Sequence, residues 1–210
     1  MVKIYVGGLW VIKEDGVPTE KESFINAQEK KFVSALQRKE VWAFERLYDQ
    51  YSNIVGGIAK SYLNVDDVED IVQEVFFRVY KGAKKFRGNS TFSTWLYRIT
   101  VNACKDMLKK YKRRSEKLVD FEEEEQSLQF ETQPVEQDIE SKMDIDLEIE
   151  QFREALSQLS EEDRLYITLR DIEELDYQQI SEIVEKPLGT VKSRIHYARK
   201  RIQSIAKGMQ

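Results

Sequence analysis

Between Glu116 and Glu150 the chain carries fourteen Asp/Glu against two lysines, Lys117 and Lys142, a net charge of −12. The first part of that stretch has too few apolar residues to bury a core of its own. It therefore works as a flexible acidic linker, over 115–147, with Pro134 near its middle and helical character returning near Ile145. This one feature divides 210 residues into two small units that each need their own apolar faces. Only 9 Gly and 3 Pro occur in the whole chain, while Lys, Glu, Leu and Ile are common, so both units are expected to be helical.

On the N-terminal side the clearest helix is DVEDIVQEVFFRVY, Asp67 to Tyr80. At a 3.6-residue period, Val68, Ile71, Val72, Val75, Phe76 and Val79 share one face. The other face holds Asp70, Gln73, Glu74 and Phe77. On the residues alone Phe77 has two readings, an ordinary exposed ring or the aromatic centre of a docking surface with an acidic rim.

Upstream, Lys3 to Ile12 has two β-prone runs around Gly7-Gly8, the pattern of a hairpin. No function follows for it. From about Ser23 helical patterns begin. Phe32, Ala35 and Leu36 belong to one helix; Trp42, Phe44, Leu47, Tyr48 and Tyr51 belong to a second, which continues through Ile54 to Leu63. Gly56-Gly57 weakens that helix by roughly 1 kcal/mol per glycine, and marks either a close helix approach or a kink. Asn64 to Asp67 forms a turn with capping residues.

Downstream, Lys81 to Ser93 is a loop framed by Phe86 and Phe92. A helix follows from about Ser93 to Tyr111. Its core stripe is Phe92, Leu96, Ile99, Ala103 and Met107, with Trp95 beside it in the core. Thr94, Arg98, Val101, Lys105 and Lys112 are expected opposite, with Tyr97 and Asn102 on the flanks. From Lys105 to Arg114 there are six Lys/Arg against Asp106, net +5. Cations neutralise phosphates and aromatic rings can stack on bases; Tyr97 is open between that role and packing at the rim.

Beyond the linker, Phe152 to Lys207 is a second small unit. Ser160 with Asp163, and Asp176 with Gln179, have the spacing of capping boxes. Tyr177 to Val184 is a short amphipathic helix, Glu185 to Leu188 a turn, and Gly189 to Ala206 a longer helix. Val191, Ile195, Ala198, Ile202 and Ile205 face inward; Lys192, Ser193, His196, Arg199 and Lys200 face outward. From Lys186 to Gln210 there are seven Lys/Arg and no acid. A short helix, a tight turn and a basic helix follow helix-turn-helix logic, with the second helix in a major groove. Two basic patches on either side of an acidic strap point to nucleic-acid contact at two places.

Other classes are disfavoured. One cysteine, Cys104, cannot make an intramolecular disulfide, which suits a reducing cytoplasm. One histidine and one cysteine are a poor basis for a zinc site, so no metal or cofactor is expected. No apolar run is long enough to span a bilayer, and the N-terminus lacks a signal-peptide cleavage pattern. A Gly-rich phosphate loop and a nucleophile–base set are both missing, so neither catalysis nor a small-molecule substrate is expected.

Two motifs stand together in order: DVEDIVQEVFFRVY followed by TWLYRI (Thr94 to Ile99), and PLGTVKSRIHYARKRI (Pro187 to Ile202). In this combination, from about Phe24 to Lys207, the chain resembles a bacterial alternative sigma factor of the extracytoplasmic-function (ECF) class. The resemblance implies an all-α fold of two small helical domains, a region 2 bundle at 24–114 and a region 4 helix-turn-helix at 148–210, after an N-terminal extension at 1–23. It implies core RNA polymerase docking through Asp70, Gln73, Glu74 and Phe77. It implies opening of a minus-ten promoter element and capture of an extruded base by Arg87, Asn89, Ser90 and Thr91 in the loop and by Tyr97, Arg98, Asn102, Lys105 and Lys109 on the helix. It implies reading of a minus-thirty-five element by Thr190, Lys192, Ser193, Arg194, His196, Arg199 and Lys200. Arg194 lies at the edge of the outer face, where an intramolecular salt bridge is the competing role. The resemblance further implies a linker that follows the polymerase's RNA path, and an anti-sigma protein as silencing partner. Glu185 stands where the family's turn often has Gly, and Ser181 where it often has Ala, so the angle between those two helices is expected to differ slightly. The alternative is a stand-alone helix-turn-helix regulator that does not dock on polymerase.

Overall fold

A computed structural model describes residues 2–6, 9–13, 20–65, 68–118 and 152–208. Residues 119–151, which include most of the 115–147 linker, and the turn residues Asp66 and Asp67 lie outside the described residues, while 115–118 belong to a helix rather than to the linker. The N-terminal segment contains two strands, β1 (Val2–Val6) and β2 (Leu9–Lys13), paired antiparallel with Tyr5 opposite Trp10. Four helices make the first bundle: α1 (Glu20–Gln37), α2 (Val41–Leu63), α3 (Glu69–Gly82) and α4 (Phe92–Leu118). The second unit comprises α5 (helical residues 152–157), α6 (Glu161–Ile167), α7 (Tyr177–Val184) and α8 (Leu188–Gly208).

The apolar stripes behave as their period requires. Ile71, Val72, Val75 and Val79 of α3 are buried against Leu47, Val55, Ile58 and Ala59 of α2 and Leu96 and Ala103 of α4, with Val68 and Phe76 half-buried at the margin. In α2, Leu47 sits in the core, but Trp42 and Tyr48 are exposed. Their place in the apolar pattern reflects aromatic surface rather than core. Gly56 and Gly57 produce neither a break nor a close approach. The helix runs through them, and a Cβ at Gly56 would meet only ordinary contacts at 3.7 and 3.8 Å, while one at Gly57 would meet nothing.

Asn64 takes a left-handed conformation (φ 55°) and closes α2, its N–H donating to the Lys60 carbonyl. Asp176 and Gln179 form a reciprocal capping box at the start of α7 (2.8 and 3.0 Å). Ser160 caps α6 in one direction only, accepting from Asp163 N–H, because the Asp163 carboxylate is turned to Arg194. After α6 the backbone widens into a π-helical segment, Thr168–Ile172, which the sequence pattern does not announce.

The two units are not independent bodies. α6 packs on α2, and α7 packs on α4. A single apolar cluster runs from Phe32 and Ile71 in the first unit to Ile180, Ile183 and Val191 in the second. Thr94 and Val101, expected on the outer face of α4, are buried. The helix is covered on two sides, by its own bundle and by the second unit.

Candidate nucleic-acid and polymerase interface

The candidate docking face lies on α3. Asp70, Gln73 and Phe77 are exposed and Glu74 is half-buried. Phe77 is 50% exposed, and the Lys81 ammonium sits 3.9 Å from its ring centroid. Glu74 also has a structural duty: it accepts from Arg78 Nε at 2.7 Å, while Arg78 reaches Asp106 on α4 at 2.8 Å. Alongside this face, and missed in the sequence, runs an aromatic ridge. Tyr80 is exposed and tilted on Phe44 at 5.3 Å, and Tyr48 is exposed and tilted on Phe76 at 5.2 Å. The signal was available in two exposed tyrosines placed one turn from apolar stripes of adjacent helices.

The loop between α3 and α4 is pinned at both ends. Gln37 donates to the Phe86 carbonyl at 3.0 Å, and the Glu29 carboxylate accepts from the Phe92 N–H at 3.0 Å. Phe86, Phe92 and Trp95 pack as a ring cluster with centroids 5.2–5.8 Å apart. Between these anchors Arg87, Gly88, Asn89 and Thr91 are exposed and Ser90 is half-buried, with Gly88 at φ 73° supplying a turn that a side chain would strain. The Thr91 hydroxyl accepts from the Thr94 N–H at 3.2 Å and so caps α4. Arg98 and Lys105 are half-buried, and Asn102 and Lys109 are exposed, forming one strip along α4. Tyr97 departs from that strip. It is 6% exposed, and burial, with the nearby Glu173 carboxylate, holds its hydroxyl pKa well above the ordinary value. Glu173, half-buried, is itself raised by desolvation.

On α8, Thr190, Lys192, Ser193, Arg194, His196, Arg199 and Lys200 are all exposed, but they are not equivalent. Arg194 pairs with Glu162 at 3.1 Å and Asp163 at 3.3 Å, the intramolecular bridge that its edge position suggested. Arg199 makes two hydrogen bonds to Asp171, and that carboxylate holds its pKa above the ordinary value. Ser193 donates to the Thr190 carbonyl at 3.0 Å. Tyr197, absent from the sequence-derived set, is 67% exposed and packs edge-on to His196 at 5.5 Å. The turn before α8 is made by Glu185 in the left-handed region (φ 57°), with Ser181 Oγ donating to the Lys186 carbonyl at 2.6 Å.

A helical bundle with an exposed aromatic on an acidic face, followed by a basic helix-turn-helix, is the arrangement of a two-domain sigma-type promoter-recognition protein. Residues 47–114 match the family Sigma-70 region 2, and residues 149–202 match Sigma-70, region 4. The ECF RNA polymerase sigma-E factor of Haemophilus influenzae is 36% identical over 163 residues, which are 77% of this chain and 86% of that relative. The ECF RNA polymerase sigma-E factor of Escherichia coli is 37% identical over 167 residues, 77% of this chain and 85% of that relative. The chain belongs to the ECF RNA polymerase sigma factors, and it is an alternative sigma factor. The fold is shared with the sigma factor RpoE of Bartonella quintana, solved in complex with the anti-sigma factor NepR (TM-score 0.64, 24% identity, 80% of this chain and 98% of that one). Among the described residues no helix is long and apolar enough to cross a membrane.

Proposed function

We propose that this sigma factor works as a non-catalytic initiation subunit in the cytoplasm, with three contact surfaces on its two domains. Asp70, Gln73, Glu74 and Phe77 dock on core RNA polymerase. Arg87, Asn89, Ser90, Thr91, Arg98, Asn102, Lys105 and Lys109 engage an opened minus-ten element, with Tyr97 joining them once uncovered. Thr190, Lys192, Ser193, His196 and Lys200 contact the minus-thirty-five element, where Arg194 and Arg199 chiefly hold α8 to its own domain. An anti-sigma protein is the expected silencing partner.

The observation that carries this reading is Phe77, half exposed at the centre of an acidic helix face with no core of its own to fill. A stand-alone regulator has no use for that surface. The test is run-off transcription with core polymerase on a genomic library. A promoter-specific transcript is expected. Its absence, with core binding absent too, would sink the reading.

A further inference from the structure

The contact between the domains is built around a buried arginine whose guanidinium bonds backbone carbonyls of both units. Arg164 of α6 is 6% exposed. Its guanidinium donates to four backbone carbonyls: Leu159 at 2.7 Å and Ser157 at 3.1 Å in its own domain, and Ser61 at 2.8 Å and Tyr62 at 3.2 Å in the other. Ser61 and Tyr62 lie in the last turn of α2, where unpaired carbonyls and the negative end of the helix dipole await a cation. Arg164 therefore caps α2 from another domain. One turn along, the Ser61 and Thr168 hydroxyls meet at 2.5 Å. Alongside, α7 lies on α4, and Tyr97 of α4 is buried near Glu173 of the second unit.

Two physical features make this closure reversible. Burial holds the Arg164 guanidinium below its ordinary pKa, an effect the Glu161 carboxylate only partly offsets, so its charge is incompletely compensated in the closed form. At Arg164 itself, opening exchanges the Ser61 and Tyr62 carbonyls for water and leaves the bonds to Ser157 and Leu159 in place, so the cost that holds the domains closed is the apolar surface they share.

Closure also limits reach. Minus-ten and minus-thirty-five elements lie about 25 base pairs apart by their positions, or about 85 Å at 3.4 Å per base pair. With α7 against α4, the recognition helix α8 starts beside the minus-ten helix, and its 21 residues extend only about 32 Å. The closed chain cannot reach both elements. The stretch from 119 to 151, 33 residues, can extend to about 110 Å, enough to separate the domains over a promoter.

Resting on the sigma-factor reading, we propose that the free chain is self-closed: Arg164 on the α2 C-terminus and the Ser61–Thr168 contact hold region 4 over the Tyr97 edge of α4, and this latch must open before both promoter elements are engaged.

The test locks the latch. Ser61→Cys with Thr168→Cys, in a Cys104→Ala background, places two thiols where the hydroxyls already touch. Expected on mild oxidation of the full chain is a near-complete intramolecular crosslink. The locked protein should give at least tenfold less run-off transcript with core polymerase, restored by reductant. Failure of the folded, reduced protein to crosslink overturns the closure, and an undiminished transcript from the locked protein overturns its inhibitory role. A reduced protein that crosslinks normally but never transcribes defeats the sigma-factor reading instead. In a second arm, Ser61→Arg sets a like charge against Arg164. The radius of gyration by small-angle scattering should rise, and an unchanged radius in a folded variant overturns the latch.

Discussion

Arg199 on α8 and Asp171 at the end of the π-helical segment form a two-point ion pair, although 28 residues separate them. The pair spends a recognition-helix arginine on holding α8 to its own domain. Lys200, next in sequence, is exposed with no acid against it in the described structure. Lys200→Ala should lower the slope of log K against log salt for promoter duplex by about one phosphate contact. Arg199→Ala should change that slope less and cost about 0.5–1 kcal/mol of stability. Fluorescence anisotropy across a salt series checks both, and equal slope changes would make Arg199 a phosphate contact after all.

Phe77 gives the cleanest separation of stability from function. Half its surface is in water and its one cation–π partner, Lys81, lies on its own helix, so truncation removes little from the fold, within about 0.5 kcal/mol. Under the proposed docking role the same ring would be a hot-spot residue. Phe77→Ala with Gln73→Ala should weaken core polymerase binding about tenfold or more and leave the melting temperature nearly unchanged. Equal core affinity by titration would return Phe77 to an ordinary exposed ring.

How far these surfaces could be read in the sequence depends on how local their causes are. The α3 stripe and the α7–turn–α8 pattern were legible because helical period and capping are set by residues three or four apart. Phe77 stood out because its own helix explains every neighbour but not it. The pairing of Arg199 with Asp171 was not legible because the partner lies 28 residues away across a π-helical segment that no periodicity announces. Thr94 and Val101 were assigned outward because a single-helix projection knows one buried side, whereas α4 has a second side covered by a domain that begins beyond the linker. The burial of Tyr97 has the same origin. The acidic strap announces that two units exist, but not that they pack together.

The helix-turn-helix corner carries a local conflict. Glu185 adopts φ 57° and ψ 45°, a left-handed cap that favours glycine. A side chain there is strained by about 1–2 kcal/mol, part of which glycine gives back through a more flexible unfolded chain. Glu185→Gly should therefore stabilise the protein by about 1 kcal/mol, a melting shift of a few degrees. Glu185→Ala keeps the strain and should gain nothing. Calorimetry on the two variants decides: equal melting points would show that the turn carries no strain to relieve.

The buried Tyr62 hydroxyl and Cys104 thiol contribute to an alkaline limit on stability, as other buried tyrosines such as Tyr97 do. Burial pushes the Cys104 thiol up to about 12 from 9.0, and the Tyr62 hydroxyl up to about 12 from 10.0. Both groups stay protonated in the folded chain at pH values where the unfolded chain releases its protons. The unfolded state then binds fewer protons than the native one, and stability falls as pH rises. Their contribution is complete below about pH 9 and is lost progressively toward pH 12. The melting temperature should hold steady up to about pH 9 and drop beyond it. Cys104→Ala should lower the neutral-pH value through the cavity it leaves yet show a shallower alkaline decline. In the same range the native thiol should react with a disulfide reagent far more slowly than the urea-unfolded chain, since a thiol held neutral is a poor nucleophile. Equal native and unfolded reaction rates would place Cys104 in water and remove it from the alkaline transition.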